Sequence, residues 1–210
     1  MPMLEDRMET QANSVFLSGK VASRPVLSHH IYGEGFYTFT LEVPRLSGEK
    51  DMLPITVSER IKNGMLLSEN ESITVAGQIR SYNKIVDGTS RLVLTVFVKH
   101  ILTACPEERN PNEISLSGYI CKPTTYRITP FKREITDILL AVNRAYNRSD
   151  YIPLITWGRN ARYAGDLKVG DKIKISGRIQ SREYEKHHKD GETEVRTAYE
   201  VSVSRIEKIS

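Results

Sequence analysis

The chain has few of the residues that mark several common classes of protein. Its only cysteines, Cys105 and Cys121, match no zinc motif in their spacing, which predicts free thiols in a reducing compartment. No apolar run is long enough to span a bilayer, and the polar first residues lack the apolar stretch of a signal peptide. We therefore expect a cytoplasmic protein with no membrane segment.

Catalytic and metal-binding patterns are missing as well. The sequence contains no glycine-rich phosphate loop, no HExxH motif and no nucleophile elbow. The adjacent pairs His29-His30 and His187-His188 fall in predicted loops, where neighbouring side chains point apart more often than they chelate a metal. These absences predict no enzymatic activity, no metal and no cofactor.

The sequence does contain a long internal repeat. Four residues recur 99 positions later in the same order, Asn13, Leu17, Ser18 and Gly19 as Asn112, Leu116, Ser117 and Gly118. The segment 77–81 recurs 100 positions later as 177–181. A register kept over this length indicates two copies of one fold. We predict a flexible arm, a first domain, a short proline-stiffened linker that keeps the domains close, and a second domain, at residues 1–12, 13–105, 106–111 and 112–210.

Both copies have the pattern of five strands and one short helix. The predicted strands are 15–21, 36–43, 52–57, 72–80 and 91–100, then 113–121, 135–142, 151–157, 172–181 and 194–206. The helical stretches 59–63 and 159–164 end at glycines, which predicts left-handed caps at Gly64 and Gly165. Matched glycines within strands predict bulges or sharp bends at Gly19, Gly118, Gly77 and Gly177. This layout is that of the OB-fold, so we predict an all-β chain of two tandem OB-folds.

Charge and aromatic residues concentrate in the second copy. Residues 1–111 hold 12 Lys/Arg and 13 Asp/Glu, whereas residues 112–210 hold 18 and 13. The aromatic candidates there are Tyr146, Tyr151, Trp157 and Tyr184, and the basic candidates are Arg144, Arg148, Arg159, Arg162, Arg178, Arg182 and Lys186. Flat aromatic rings stack on unpaired bases while Arg and Lys hold phosphates, so the set predicts single-stranded nucleic-acid binding.

A core position is the alternative explanation for these aromatic residues. For Tyr163 we expect packing on the barrel, because it lies within the short helix. Tyr151 and Trp157 are six residues apart on one predicted strand and so share a face. Ile152 and Leu154 already supply an apolar opposite face, which favours an exposed position for the aromatic pair.

The second copy resembles the bacterial single-stranded DNA-binding protein (SSB) family. The resemblance covers essentially all of 112–207 and is carried by ordered segments, 126–130, 139–144, 151–159, 167–171 and 177–184. It implies base stacking on Tyr146, Tyr151, Trp157 and Tyr184. By the same alignment the first copy has other residues at these positions, Leu46, Met52, Ser58 and Lys84 or the nearby Tyr82. This implies that the first copy has lost the stacking platform.

The resemblance further implies a homodimer with four OB-folds that coats single-stranded DNA in replication, recombination or repair. Replication and recombination proteins are the partners it suggests. The chain departs from the family at its end, where residues 205–210 lack the acidic, aromatic tip that recruits such partners. Two alternatives stay open at this point, an OB-fold subunit of a primosome-like or recombination complex that acts through protein contacts, and an RNA-binding OB protein.

Overall fold

The computed structural model describes residues 12–64, 67–86, 88–102, 110–187 and 193–209, with the side chains of Lys186 and His187 left out. Twelve strands and two short helices lie within these ranges. The first six strands and the first helix are β1 Asn13–Val21, β2 Val26–Ile31, β3 Glu34–Pro44, β4 Lys50–Ser58, α1 Glu59–Asn63, β5 Ser72–Val86 and β6 Thr89–Leu102. The second half contains β7 Asn112–Ile120, β8 Thr125–Ile128, β9 Glu134–Arg144, β10 Arg148–Trp157, α2 Arg159–Gly165, β11 Lys172–His187 and β12 Thr193–Lys208.

Each half closes into a five-stranded barrel. In the first barrel β1 pairs with β3 and β5, β3 with β4, and β5 with β6, all antiparallel, and a short parallel pairing of β4 with β6 closes the ring. The second barrel repeats this order with β7, β9, β10, β12 and β11. Five strands in this arrangement, with a helix before the fourth, form an OB-fold, so the predicted fold class is confirmed.

Two strands were not predicted from the sequence. β2 pairs with β3 and β8 pairs with β9, each at an outer end of the strand order. Every residue of both strands is exposed. They lengthen the barrel walls without adding to the core.

Alternating aliphatic side chains fill both barrels. The fully buried set includes Leu17, Leu41, Leu53, Ile55 and Ile79 in the first barrel and Leu116, Leu140, Ile152, Leu154 and Ile175 in the second. Complete burial of such a side chain contributes roughly 1.5–3 kcal/mol. On each strand the residues between these core positions face outward. This alternation fixes which side chains a ligand can reach.

Two of the four matched strand glycines, Gly77 and Gly177, lie at strand irregularities, as predicted. The pairing register shifts between Ala76 and Gly77, and again between Ser176 and Gly177. A Cβ atom on Gly177 would overlap the carbonyl oxygen of Ser202 on the neighbouring strand. Side chains are therefore excluded where the strands approach most closely.

The predicted left-handed helix caps are wrong. Gly64 has φ −75°, and Gly165 is the last residue of α2, whose C-cap is Asp166 with φ −86°. Both ends have ordinary right-handed geometry that any residue adopts. Gly158 at the start of α2 is the residue with positive φ, at 54°. The glycine requirement thus lies before the second helix, since few other residues adopt that conformation.

The two barrels join through a continuous sheet. β1 and β7 pair antiparallel about Val15 and Ile114. Asn13, buried beside this junction, donates to the carbonyl of Ile79 at 2.8 Å and accepts from its N–H at 3.0 Å. Asn112 makes the equivalent pair of bonds to Ile179. The boundary predicted at 105/106 falls within residues 103–109, outside the described part of the chain. Ala12, assigned to the flexible arm, accepts a hydrogen bond from the Ser117 N–H at 2.8 Å.

A buried aspartate from each barrel reaches across the junction. Asp150 accepts from the Arg80 side chain at 3.0 Å and from the Ser81 N–H at 2.8 Å, and it lies 3.5 Å from Arg144 of its own barrel. We call Asp150, Arg80, Ser81 and Arg144 the Asp150 cluster. Since Asp150 is 1% exposed, these charge-assisted bonds hold the two barrels in one orientation.

The repeat places a second such cluster on the other side of the junction. Asp51, 0% exposed, accepts from Arg45 at 2.6 Å and from the Ser181 N–H at 2.7 Å, and lies 3.5 Å from Arg178. We call these four residues the Asp51 cluster. In the second barrel, the arginine that contacts the aspartate of the opposite barrel is Arg178, the first residue of the segment Arg178-Ile179-Gln180. In the first barrel it is Arg80, the last residue of the segment Gln78-Ile79-Arg80. The two domains thus pack against each other, as the short linker predicted.

Candidate functional site

The outer face of β10 carries two of the predicted aromatic residues. Ile152 and Leu154 point into the barrel, so Tyr151 and Trp157 point out, where they are 46% and 38% exposed. The prediction that they share an exposed face agrees with these positions. We call the outward surface of β9 to β12 the second ligand face.

Tyr184 lies on the same face, two strands away. Leu154 of β10 opposes Val201 of β12, which in turn opposes Ile179 of β11, and all three are in the core. Counting outward from Ile179 places Arg182 and Tyr184 on the outer side, with Tyr184 39% exposed. The Arg182 guanidinium lies 5.8 Å from the centroid of the Tyr184 ring. The side chain of Lys186, the next basic candidate, is outside what the structure describes.

Tyr146 forms the tip of the hairpin between β9 and β10. It is 95% exposed, and both Tyr146 and Asn147 have positive φ, at 61° and 51°. A tyrosine pays a steric cost in this left-handed region, whereas glycine would not. Such an outlier, at an exposed ring with no described packing partner, indicates a role outside folding.

The predicted basic residues divide into two groups. Arg148 and Arg159 are exposed and make no ion pair with another described residue. Arg182 lies 3.8 Å from Glu200, at the outer limit of an ion pair. These three side chains are available to an anionic ligand.

The remaining arginines are already engaged. Arg144 and Arg178 belong to the Asp150 and Asp51 clusters, where they neutralise buried carboxylates. Arg162 donates to both oxygens of Glu134, at 2.9 and 2.8 Å. The Tyr126 hydroxyl donates to the same carboxylate at 2.7 Å, and the hydrogen bonds from Tyr126 and Arg162 hold the pKa of Glu134 below its ordinary value. The structure thus gives these three arginines structural partners that the sequence did not reveal.

The expectation that Tyr163 is a core residue is wrong. Its ring is 42% exposed, and its hydroxyl accepts a hydrogen bond from the Lys208 N–H at 3.2 Å. The small side chains of Ala161 and Ala164 occupy the buried side of α2 instead. Those two alanines leave Tyr163 on the side of the helix that faces water.

The first barrel holds one residue of the second ligand face in place. The Tyr151 N–H donates to the Ser81 hydroxyl at 2.7 Å, next to the Asp150 cluster. In the equivalent contact with the barrels exchanged, the Met52 N–H of the first barrel donates to the Ser181 hydroxyl of the second at 3.1 Å. Tyr151 therefore takes its backbone position from contacts with the first barrel.

Two arginines on or beside the second ligand face were missed in the sequence. Arg196 of β12 opposes Tyr184, and Arg127 of β8 opposes Ile135 beside Trp157. Arg127 pairs with Asp137 at 2.8 Å, and Arg196 pairs with Glu194. Counting in steps of two from Ser202 would have placed Arg196 on the outer face.

No group of three or more metal-ligating side chains comes together among the residues the structure describes. In the same part of the chain, no helix is both long and apolar enough to cross a membrane. What the second ligand face offers is exposed rings, open guanidinium groups and a backbone held by the neighbouring barrel.

Comparison with protein families gives a match to the second barrel. The model of the single-strand binding protein family covers residues 111–209. The matched segment, just under half of the chain, begins and ends within about a residue of the second barrel.

Two proteins named as single-stranded DNA-binding proteins match part of the chain. A single-stranded DNA-binding protein of Clostridium tetani is 37% identical over 87 residues, which is 38% of this chain and 59% of that protein. Single-stranded DNA-binding protein A of Bacillus subtilis is 35% identical over 81 residues, which is 35% of this chain and 47% of its own length. The chain thus spans about half the length of these relatives.

A solved structure matches both barrels together. The wild-type single-stranded DNA-binding protein from Thermus aquaticus is similar with a TM-score of 0.73 and 22% identity, over 94% of this chain and 93% of the other. At this identity the likeness concerns the fold. It shows that two barrels arranged in tandem in one chain are a known fold.

Proposed function

We propose that this protein binds single-stranded DNA without strong sequence preference and coats it during replication, recombination or repair. The observation that carries the proposal is the group of exposed rings at Tyr151, Trp157 and Tyr184 on one face of the barrel that the single-strand binding protein family model matches. Aromatic rings stack on bases of any sequence, each contributing roughly 1–3 kcal/mol. The role is one of binding in the bacterial cytoplasm, with no catalytic step.

The arginine assignments follow from their partners. Arg148, Arg159 and Arg182, with Lys186, are the proposed phosphate contacts, and the ring of Tyr146 is a further proposed base-stacking ring. Arg144, Arg162 and Arg178 act as positioning residues, because each already neutralises a carboxylate of the protein. Phosphate contacts release counterions, so affinity should fall as salt rises.

Intrinsic fluorescence tests the proposal directly, because Trp157 is the only tryptophan. The full chain is titrated with oligo(dT) of about 30 nucleotides, long enough for more than one OB-fold site, at two salt concentrations. Strong quenching that eases with salt and is absent with duplex DNA supports the proposal. Absence of quenching and of binding would refute it, and tighter binding of a matched RNA would reassign the ligand.

We also propose that two chains pair into a homodimer with four OB barrels. The support is the resemblance to SSB proteins with two OB-folds per chain. Light scattering on the purified protein, with and without oligo(dT), measures the mass. A mass of one chain under both conditions would contradict this part of the proposal.

A further inference from the structure

The first barrel has a ligand face of its own, at the position equivalent to the second ligand face. Met52 and Ser58 of β4 stand where Tyr151 and Trp157 stand in β10. At the hairpin tip Ser47 stands at the position of Tyr146, which corrects the alignment of Leu46 with Tyr146 by one residue, because Pro44 pairs with Lys50 as Asn143 pairs with Ser149. Judged by these positions alone, the first barrel has lost its stacking residues, as the sequence suggested.

The ligand face of the first barrel carries aromatic residues at neighbouring positions. Phe36 of β3 opposes Ser58 and corresponds to Ile135 of the second barrel. Phe97 of β6 opposes Thr56 and corresponds to Ser202. In the second barrel the large ring of Trp157 lies between Ile135 and Ser202. In the first barrel the rings of Phe36 and Phe97 lie on either side of the small Ser58.

The two phenylalanines and the small residue at position 58 depend on one another. Phe36 and Phe97 belong to strands on either side of β4, yet their ring centroids are only 5.8 Å apart. They meet over β4 because Ser58, 6% exposed, takes up little space there. A tryptophan at position 58 would compete with both rings for this space. The first barrel thus carries its aromatic rings on the strands beside β4, and the small side chain of Ser58 leaves room for them.

His29 of the edge strand β2 covers the outer end of this cluster. Its imidazole stacks on Phe36 with 5.2 Å between ring centroids and 14° between ring planes. The residue is exposed, so the ring presents a flat surface to solvent beside Phe36. We call His29, Phe36 and Phe97 the His29 stack.

The far end of the same face has the composition of its counterpart. Counting along β5 and β6 from Phe97 places Tyr82, Lys84 and Arg91 on the outer side. They correspond to Arg182, Tyr184 and Arg196, so a tyrosine and a cation occupy the two β5 positions in reversed order. Tyr82 is 51% exposed and Lys84 is also exposed.

We propose that the His29 stack is a second base-stacking site, at which a nucleobase of the bound single strand lies on the exposed face of His29. This inference rests on the proposed function, which it extends to the first barrel. The flat exposed ring, its rigid support by Phe36, and the outward tyrosine and lysine are the features that recognise unpaired nucleic acid. One strand then crosses both ligand faces of the chain.

A moved tryptophan tests this proposal in the full-length protein. The double variant H29W/W157F carries its only tryptophan in the stack, and H30W/W157F carries it one residue away, on the opposite side of β2. Both are titrated with oligo(dT) of about 45 nucleotides, long enough for two OB barrels at about 4–16 nucleotides each. We expect strong quenching at position 29 and little at position 30. Equal responses at the two positions would overturn the proposal.

Binding by the native histidine is measured with single variants. On the 45-mer, His29→Ala should weaken binding about five-fold or more, the lower end for one lost stacking contact, while His30→Ala leaves it unchanged. His29→Phe should restore the affinity, since it restores a flat ring. On an oligonucleotide of about 12 nucleotides, which the second barrel binds alone, neither alanine should matter. Equal affinities of His29→Ala and His30→Ala on the 45-mer would also overturn the proposal.

The two proposals fail in distinguishable ways. If the wild-type Trp157 is quenched but the H29W/W157F variant responds like its control, only the second site is refuted. If the wild-type protein shows no quenching and no binding, the proposed function is refuted, and the second site with it. As a control, thermal unfolding is measured for the paired variants at positions 29 and 30. Equal midpoint temperatures would show that both fold alike.

Discussion

At the scale of single residues, Trp157 and Ser58 form a matched pair at equivalent positions of the two barrels. Trp157→Ala removes an exposed ring and should weaken DNA binding about five-fold or more. Ser58→Ala removes a buried hydroxyl that has no hydrogen-bond partner among the described atoms, so stability should stay equal or rise slightly. Fluorescence anisotropy with a labelled oligonucleotide compares the affinities. Equal losses for both variants would contradict the leading role of the second barrel.

Tyr146 allows binding to be separated from folding. Because its φ is positive, Tyr146→Gly relieves backbone strain while making the unfolded chain more flexible, and the two effects nearly cancel. The free energy of unfolding should change by less than about 1 kcal/mol. Affinity for oligo(dT) should fall about five-fold or more, because a stacking ring is lost. Urea unfolding and anisotropy give the two values, and an unchanged affinity would exclude Tyr146 from the ligand face.

The residue scale also shows where sequence analysis reached its limit. Alternation along β10 was sufficient to predict that Tyr151 and Trp157 share an exposed face. It could not reveal that Arg144 and Arg178 neutralise Asp150 and Asp51, because these contacts join residues on different strands or different barrels. The sequence predicts a loop at His29, because the stacking of its ring on Phe36 requires the pairing of β2 with β3.

At the scale of secondary structure, the glycines of the bent strands matter more than those near the helices. Gly177→Ala would place a methyl group against the Ser202 carbonyl and should destabilise the protein by more than about 2 kcal/mol, since backbone must move. Gly165→Ala, inside α2, meets Tyr126 only at an ordinary distance of 3.6 Å and should be neutral or stabilising by up to about 1 kcal/mol. Thermal unfolding compares the two, and similar losses would refute the close strand contact.

The elements themselves were largely predictable because their signals are local. Runs rich in strand-forming residues predicted all ten barrel strands, and the internal repeat predicted the same order of elements in both halves. β2 and β8 escaped because every one of their residues is exposed, so they leave no alternation in the sequence. The left-handed caps at Gly64 and Gly165 failed because a glycine after a helix permits that conformation without requiring it.

At the scale of the whole molecule, the Asp150 and Asp51 clusters connect the barrel junction to the two ligand faces. Each aspartate is buried, and each contacts an arginine and a serine of the opposite barrel. Asp150→Asn and Asp51→Asn should therefore destabilise the chain by similar amounts, about 3 kcal/mol, because each leaves arginine charge without its partner. Urea unfolding measures both.

Their effects on DNA binding should differ, because the neighbours of the two aspartates differ. Asp150 precedes Tyr151, whose N–H is held by Ser81 of the same cluster, so Asp150→Asn should displace a stacking ring. Asp51 precedes Met52, which has no ring to stack. At a temperature where both variants are folded, we expect Asp150→Asn to lose about five-fold more affinity for oligo(dT) than Asp51→Asn. Equal losses would mean that the junction supports both faces alike and that Tyr151 does not depend on the first barrel for its position.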